Sequence, residues 1–179
     1  MIKYADERER DLLEKLYPTK ENDSAYTIPY ESLYALGKRG IIYDIDNTLV
    51  MHGAPADDRS KELFEKLRYI GFKTVLLSNN KEKRVKPFAD AVGSEYVYKA
   101  AKPSRKGYED AMKIMGTKPE TTIFIGDQLF TDIWGANRAG IETILTKPID
   151  KKEEIQIVLK RRLEWFILKA YHRKNRHRK

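Results

Sequence analysis

Short apolar runs alternate with longer amphipathic segments along most of the chain between residues 40 and 145. The runs are rich in β-branched residues and mostly apolar at successive positions, which is typical of strands covered on both faces of a parallel sheet. The segments between them have the spacing of helices, and a glycine ends each one just before the next run. The pattern predicts strands at Gly40–Ile45, Lys73–Ser78, Tyr96–Tyr98, Thr122–Ile125 and Glu142–Leu145, helices at Ser60–Ile70, Glu82–Ala91, Arg105–Met115 and Thr131–Ala139, and helix-ending glycines at Gly71, Gly93, Gly116 and Gly140.

The alternation of strands and helices favours a doubly wound α/β fold with a parallel sheet. The 179 residues are enough for one domain with a substantial core and too few for two ordinary domains. We therefore predict a single domain over residues 1–179. It would consist of an N-terminal helical arm at 1–39, a catalytic core at 40–150, and a basic amphipathic helix and tail at 151–179.

The N-terminal arm contains a predicted helix at residues 5–16, which Pro18 closes, and a short helix from Tyr30 to Leu36. The stretch between the two helices is polar and rich in tyrosine. Two interpretations are open: the tyrosines pack the arm on the core, or they form an aromatic surface for a ligand or partner. We favour packing, because tyrosine is often half-buried. The tyrosines concerned are Tyr17, Tyr26, Tyr30 and Tyr34.

Composition excludes several kinds of site. The chain has no cysteine, which excludes disulfides, thiolate zinc sites and a thiol nucleophile. Two of its three histidines, His172 and His177, lie close to the C-terminus, so a histidine-rich metal centre is not expected. The first ten residues are charged, unlike a signal peptide, and no apolar run is long enough to span a bilayer. We expect a cytoplasmic protein.

The net charge of +8 comes from the C-terminal segment. Residues 1–150 carry 24 Lys and Arg against 24 Asp and Glu, whereas residues 151–179 carry 11 against 3. Residues 151–171 have helical spacing, with a broad apolar arc and basic side chains between. Three interpretations are open: the helix packs on the domain, it lies on an anionic membrane at the inner face, or its tail binds RNA or a ribosome. We favour packing together with membrane proximity over nucleic acid.

Polar side chains follow four successive predicted strands, where ligands bind in sheets of this kind. Asp44 and Asp46 end the first strand, on which residues two apart share a face. Two crowded carboxylates contribute nothing to folding, but they suit a divalent cation and a phosphoryl group. The alternative is that both acids only cap a turn. The side chains at the other three strand ends are Ser78, Asn79 and Asn80, then Lys102, then Asp127 and Asp132.

Four segments resemble, in order, the motifs of the haloacid dehalogenase (HAD) superfamily of phosphatases: Asp44-Ile-Asp-Asn-Thr-Leu, Leu77-Ser-Asn, Lys102-Pro and Gly126-Asp-Gln-Leu-Phe-Thr-Asp. Over most of its length the chain further resembles subfamily IIIA, the YqeG-like phosphatases, which include relatives of mitochondrial phosphatidylglycerophosphate phosphatase. The resemblance implies a HAD-like core, a Rossmann-like sheet between two layers of helices.

The resemblance also implies the chemistry of the three motif acids. Asp44 would be the nucleophile that forms an aspartyl-phosphate. Asp46 would protonate the leaving alkoxide and then accept a proton from the attacking water. Mg²⁺ would be held by the Asp44 carboxylate, the Asp46 main-chain carbonyl and Asp127.

The other motif residues would bind the phosphoryl group. Ser78, the Asn79 backbone and Lys102 would contact its oxygens and stabilise charge during transfer. Asp132 would orient Lys102 or a metal-bound water, or it would cap the following helix. The basic side chains after Asn80 either attract an anionic substrate or form a solvated face. These are Lys81, Lys83, Arg84 and Lys86.

No cap domain is expected. The segments Val50–Gly71 and Asn80–Lys102 each leave room for one loop and one helix. An uncapped site suits a large substrate or a phosphate group held at a surface. The favoured substrate is phosphatidylglycerophosphate, in phospholipid synthesis. The alternatives are a phosphatase of soluble sugar phosphates or nucleotides, and an RNA- or ribosome-associated binding protein that uses the basic tail.

Overall fold

The computed structural model describes residues 14–150, 164–169 and 171–173. Strands and helices alternate through the described part of the chain. The strands are β1 (Lys20–Asn22), β2 (Gly40–Tyr43), β3 (Lys73–Leu77), β4 (Glu95–Val97), β5 (Thr122–Gly126) and β6 (Glu142–Thr146). The helices are α1 (Tyr30–Ala35), α2 (Asp58–Ile70), α3 (Glu82–Val92), α4 (Arg105–Met115) and α5 (Trp134–Arg138).

All these strands are parallel and form one sheet in the order β1-β6-β5-β2-β3-β4. Ile41 at the centre lies opposite Thr74 on one side and Ile123 on the other. The predicted doubly wound α/β fold is confirmed, and each of the five predicted strands is present with its ends within two residues. The order of strand addition reverses between β2 and β5, which opens a ligand crevice at their carboxyl ends.

Local signals place the helix ends as predicted. Asp57 caps α2 by accepting a hydrogen bond from the Ser60 N–H at 2.8 Å. Gly71, Gly93 and Gly116 end α2, α3 and α4 in the left-handed conformation that glycine adopts without a steric penalty. These short-range contacts fix where each helix returns the chain to the sheet.

The core lies on both faces of the sheet because consecutive residues of β2 point to opposite sides. Ile41 and Tyr43 pack with Phe64 of α2 and Phe88 of α3, whereas Ile42 packs on the other face. The second cluster includes Val75, Leu77, Tyr108, Met112 and Phe124. Burial on both faces explains why the central strands are apolar at every position.

Strand β1 was not predicted from the sequence. Its Lys-Glu-Asn sequence is polar and largely exposed, so it has no apolar pattern. It pairs at the edge of the sheet with β6, where Lys20 lies opposite Ile144 and Asn22 opposite Thr146. The predicted arm helix at residues 5–16 falls almost wholly outside the described residues.

Three of the four arm tyrosines, Tyr26, Tyr30 and Tyr34, pack on the core, as the favoured interpretation required, whereas Tyr17 packs on Tyr171. Tyr30 is buried, and its hydroxyl donates to the Ala25 carbonyl and accepts from the Tyr43 hydroxyl at 2.6 Å. Tyr34 packs edge-on against Phe72. The arm is therefore fixed to α2 and β2 by buried aromatic contacts.

Two helical segments differ from the prediction or extend beyond the described residues. The single helix predicted at Thr131–Ala139 is a π-helix at Leu129–Ile133 followed by α5. Most of the C-terminal helix predicted at 151–171 lies outside the described residues, but 164–169 and 171–173 are helical. None of the described helices has the length and apolar character needed to cross a membrane.

Candidate active site

The carboxyl ends of the strands bring the predicted side chains to one edge of the sheet. Asp44 follows β2 directly, Ser78 follows β3, and Asp127 follows β5. Lys102 reaches the same edge from the loop between β4 and α4. All four are buried. The parallel sheet is the reason that residues up to 83 positions apart in sequence meet here.

Lys102 joins two buried carboxylates. Its Nζ donates to Asp44 Oδ1 at 2.6 Å and to Asp132 Oδ1 at 2.7 Å. Lys102, at 4% side-chain exposure, and Asp132, at 1%, are shielded from water, so both ion pairs are far less screened than a surface pair. Asp132 Oδ2 also accepts from the Gln128 N–H at 3.2 Å. Asp132 therefore touches Lys102 and the loop that follows β5.

Burial changes the proton affinities of this group. Burial is the main cause that raises the pKa of Asp44 to about 7; Lys102 opposes the rise and Asp132 adds to it. For Lys102, burial alone would lower the pKa, but Asp132 and Asp44 outweigh it and raise that pKa above its ordinary value. The ammonium ion is thus held in its charged form against two acids.

A cluster of three carboxylates fits a divalent cation. One oxygen each from Asp44, Asp127 and Asp132 lie within 4.8 Å of one another, and all three residues are buried. The Thr48 hydroxyl lies 3.4 Å from both Asp44 Oδ2 and Asp127 Oδ1. Oxygen donors of this type are the ligands that Mg²⁺ prefers.

Asp46 lies apart from this group. Strand β2 ends at Tyr43, two residues before the predicted end, so Asp44 and Asp46 are not two positions of one strand face. Asp46 Oδ1 accepts from the Gly53 N–H and from Arg84 Nη2, each at 2.8 Å. The two carboxylates therefore have separate hydrogen-bond partners, although the charge of Asp46 adds to the rise that burial causes in the pKa of Asp44.

A second contact on Asp46 comes from the end of β3. Its Oδ2 accepts from Asn80 Nδ2 at 2.8 Å. The chain turns between the two acids and α2 through Asn47, which has a φ of 64°. The contacts of Asn80 and Arg84 with Asp46 were not predicted from the sequence, because partners 34 and 38 positions away carry no local signal.

The residues after β3 hold the Lys102 loop. Asn79 Oδ1 accepts from the Lys102 N–H at 2.7 Å, and Asn79 Nδ2 donates to the Lys102 carbonyl at 3.3 Å. Ser78 Oγ accepts from the Asn80 N–H at 3.2 Å. The predicted phosphate-binding trio of Ser78, Asn79 and Lys102 is therefore one connected unit, in which the Asn79 side chain fixes the backbone of Lys102.

A cavity adjoins Asp127 on the side of the C-terminal helix. It has a volume of about 620 Å³ and reaches from Asp127 to Trp165 and Leu168 of that helix. Ile167 and Leu168 pack on Leu129, Ile133 and Leu145. Between Asp46 and α2, and between Asn80 and Lys102, the chain forms loops, α3 and β4, with no inserted cap.

Comparison with known proteins identifies the family that the sequence motifs resemble. Residues 53–140 match the family model described as haloacid dehalogenase-like hydrolase. The chain is 39% identical over 165 residues to the probable phosphatase YqeG of Bacillus subtilis, covering 91% of this chain and 96% of that protein. It is 30% identical over 164 residues to phosphatidylglycerophosphate phosphatase 1 of Arabidopsis thaliana, covering 82% of this chain and 45% of that longer protein.

Solved structures share the fold at low sequence identity. An uncharacterized protein from Corynebacterium glutamicum superimposes with a TM-score of 0.52 at 19% identity, covering 64% of this chain and 89% of its own. The cobalt-bound deoxy-D-mannose-octulosonate 8-phosphate phosphatase from Haemophilus influenzae superimposes with a TM-score of 0.50 at 16% identity, and the match covers 62% of this chain and 68% of that one. These likenesses support the same α/β architecture.

Proposed function

The chain belongs to the haloacid dehalogenase-like hydrolases and is a phosphatase of that family, and from this we propose that it hydrolyses phosphomonoesters with Mg²⁺ through an aspartyl-phosphate at Asp44. The observation that carries the proposal is the buried contact of Asp44 with Lys102, beside Asp127 and Asp132. A carboxylate, a fixed cation and a metal-binding acid cluster are the parts that phosphoryl transfer needs.

The proposed reaction has two displacements at phosphorus. An Asp44 carboxylate oxygen attacks the phosphorus atom, forming an acyl-phosphate bond while the ester P–O bond breaks. Lys102, held by Asp132 and by Asn79, stabilises the negative charge of the transferring group. Water then attacks the same phosphorus atom, which releases inorganic phosphate and restores Asp44.

Asp46 moves the protons in this scheme. It gives a proton to the leaving alkoxide in the first displacement and takes one from the attacking water in the second. Its three hydrogen bonds from Gly53, Asn80 and Arg84 would fix its orientation. A fixed carboxylate beside the leaving oxygen provides proton transfer without a large reorganisation.

The oxygen donors of the acid cluster fit Mg²⁺. Asp44, Asp127 and the main-chain carbonyl of Asp46 would hold the ion, with Asp132 oriented toward Lys102. When bound, Mg²⁺ would offset the charges of the carboxylates and the phosphoryl group, so that the two anions can approach each other.

We propose phosphatidylglycerophosphate as the substrate. Support comes from the Arabidopsis relative, whose name states that activity, and from the absence of a cap insertion between the described strands. A phosphate carried by a membrane lipid needs such an uncovered site, because the enzyme must reach it at a surface.

The C-terminal helix would hold the enzyme at an anionic membrane, peripherally and from the cytoplasmic face. Trp165 and Phe166 are 55% and 64% exposed. Lys169 lies over the Trp165 ring, and the sequence around this helix carries the whole excess of positive charge. Exposed aromatic and basic side chains on one helix are typical of interfacial binding.

The test is phosphate release with Mg²⁺ from phosphatidylglycerophosphate in mixed micelles, beside glycerol 3-phosphate, sugar phosphates and nucleotides, with Asp44→Asn as the control. We expect the lipid to have the highest kcat/KM and Asp44→Asn to be inactive. Equal activity of Asp44→Asn would refute the aspartyl-phosphate. Activity restricted to soluble esters would reject the lipid substrate and retain the mechanism.

A further inference from the structure

Arg84 lies beside the proposed general acid, and the catalytic scheme uses it only to orient Asp46. It belongs to the first turn of α3, and its side chain is 20% exposed. Its Nη2 donates to Asp46 Oδ1 at 2.8 Å, and its guanidinium lies 5.8 Å from the centroid of the Phe88 ring. A guanidinium has five N–H donors in a rigid fork, and Asp46 occupies one side of it.

Among residues 14–150, 164–169 and 171–173, the Nε atom of Arg84 finds no hydrogen-bond acceptor. It is also buried, and it is the sole buried side-chain polar atom with no partner in the described part of the chain. A buried donor without an acceptor is costly, and native structures pair nearly all of them. Because Nε is enclosed by the protein, a ligand oxygen would meet the outer N–H groups of the fork, on the exposed part of the Arg84 side chain.

We propose that Arg84 forms a subsite for a second anionic group of the substrate, carried by the leaving group. The inference rests on the proposed phosphatase mechanism and deepens it. Asp46 must contact the leaving oxygen to protonate it, and Arg84 contacts Asp46 directly. An anion a few bonds beyond that oxygen therefore comes within reach of the guanidinium.

Arginine suits such a group because its planar fork matches phosphate and carboxylate oxygens. In phosphatidylglycerophosphate the leaving group carries a phosphodiester. In soluble esters the corresponding group is a carboxylate or a second phosphate. The common chemistry is an anionic oxygen on the leaving side, and the two sources are separable by experiment.

The experiment compares kcat/KM for substrates that differ in the charge of the leaving group. Glycerol 3-phosphate has a neutral leaving group, 3-phosphoglycerate a carboxylate, and glycerophosphoglycerol phosphate the phosphodiester without acyl chains. We expect the wild type to prefer the two anionic leaving groups. Arg84→Gln should lower that preference about tenfold, the usual effect of losing one charge-assisted hydrogen bond.

Two further variants separate recognition from structure. Lys86→Gln removes the same charge from the same helix at an exposed side chain that pairs with Asp90, and it should leave the preference unchanged. Arg84→Lys keeps the charge without the fork, should retain part of the preference, and serves in place of Arg84→Gln if that variant does not fold.

The measured outcomes distinguish this inference from the mechanism beneath it. A larger loss for glycerophosphoglycerol phosphate than for 3-phosphoglycerate identifies a phosphodiester subsite, and the reverse identifies a carboxylate subsite. If Arg84→Gln lowers all three rates equally, Arg84 only positions Asp46 and the subsite is refuted. If the wild type hydrolyses neither these esters nor phosphatidylglycerophosphate in mixed micelles, the proposed phosphomonoesterase itself fails.

Discussion

The Asp132 carboxylate lies against the Cα of Gly126, the last residue of β5. A methyl group on Gly126 would lie 2.5 Å from Asp132 Oδ2 and 2.8 Å from its carboxyl carbon. Side-chain Cβ atoms essentially never come this close to a neighbouring atom, and both residues are buried in the sheet edge. Glycine at 126 is therefore what allows Asp132 to reach Lys102.

We predict that Gly126→Ala displaces Asp132 and weakens its ion pair with Lys102. The free energy of unfolding should fall by about 1–3 kcal/mol, the usual cost of overpacking a buried site. Activity should fall further than stability, because Lys102 would lose one of the two acids that hold it. Urea unfolding and kcat on a soluble aryl phosphate measure the two effects.

Adding Asp132→Ala to Gly126→Ala should relieve the part of the clash that involves the carboxylate, whereas the contact of 2.8 Å with Phe124 Cε1 remains. The double variant should then lose less stability than the two single changes together, since the second change removes the carboxylate that the first overlaps. Additive losses would show that Asp132 moves aside at no cost and that the contact is not a constraint.

Mg²⁺ should stabilise the protein through Asp127. A ligand that binds only the folded state adds about 2.7 kcal/mol at 100 times its Kd, so the melting temperature should rise on addition of Mg²⁺. Asp127→Asn should abolish most of that rise. Asp90→Asn changes an exposed carboxylate on α3 and should respond to Mg²⁺ like the wild type. A full rise in Asp127→Asn would place the ion elsewhere.

Much of the fold could be predicted because its signals are local. The central strands are apolar on both faces, so runs such as Ile41–Tyr43 stand out without any knowledge of their partners. Single residues determine where a helix begins and ends, such as Asp57 at the start of α2 and Gly71 at its end. The candidate site residues could be predicted for a related reason, since each follows such a strand directly or lies in a short motif.

What could not be predicted depends on residues far apart in sequence. Strand β1 gains its conformation from pairing with β6, about 124 positions away, and its own side chains are polar. The partners of Asp46 lie on α3 and at the end of β3. The π-helix at Leu129–Ile133 widens a turn that helical spacing alone describes as α-helix.

Alkaline pH should unfold the protein through its buried phenols. Burial is the main cause that raises the pKa of Tyr43 and of Tyr30 above the ordinary value of 10. The folded state thus favours the neutral phenols, so their contribution is complete below pH 10 and is lost as the pH rises above it. The free energy of unfolding should fall by up to about 1.4 kcal/mol per pH unit for each group.

Tyr43→Phe isolates this effect. It should cost about 1 kcal/mol at pH 7 through the lost hydrogen bond to Tyr30, and it should make the decline above pH 10 shallower. Tyr69→Phe changes a phenol that is 94% exposed and should leave both the stability and the slope unaltered. Identical slopes for wild type and Tyr43→Phe would mean that other groups control alkaline unfolding.

Glu164 should couple the C-terminal helix to the active site. It is 4% exposed, and its Oε1 accepts from the Leu129 N–H at 2.8 Å, two residues after Asp127. Glu164→Ala would leave a buried N–H without this acceptor, which costs about 1–3 kcal/mol. We expect Glu164→Ala to lower both the free energy of unfolding and kcat, since the loop that carries Asp127 and Asp132 loses its support.

Glu164→Gln distinguishes hydrogen bonding from charge at this position. The amide retains an oxygen that can accept from Leu129, so its stability and kcat should stay closer to the wild type than those of Glu164→Ala. Lys169→Ala, on an exposed part of the same helix, controls for loss of helix contacts in general. Because the helix also packs through Ile167 and Leu168, the alanine variant should remain folded. Wild-type kcat in a folded Glu164→Ala protein would show that the active site does not depend on this helix.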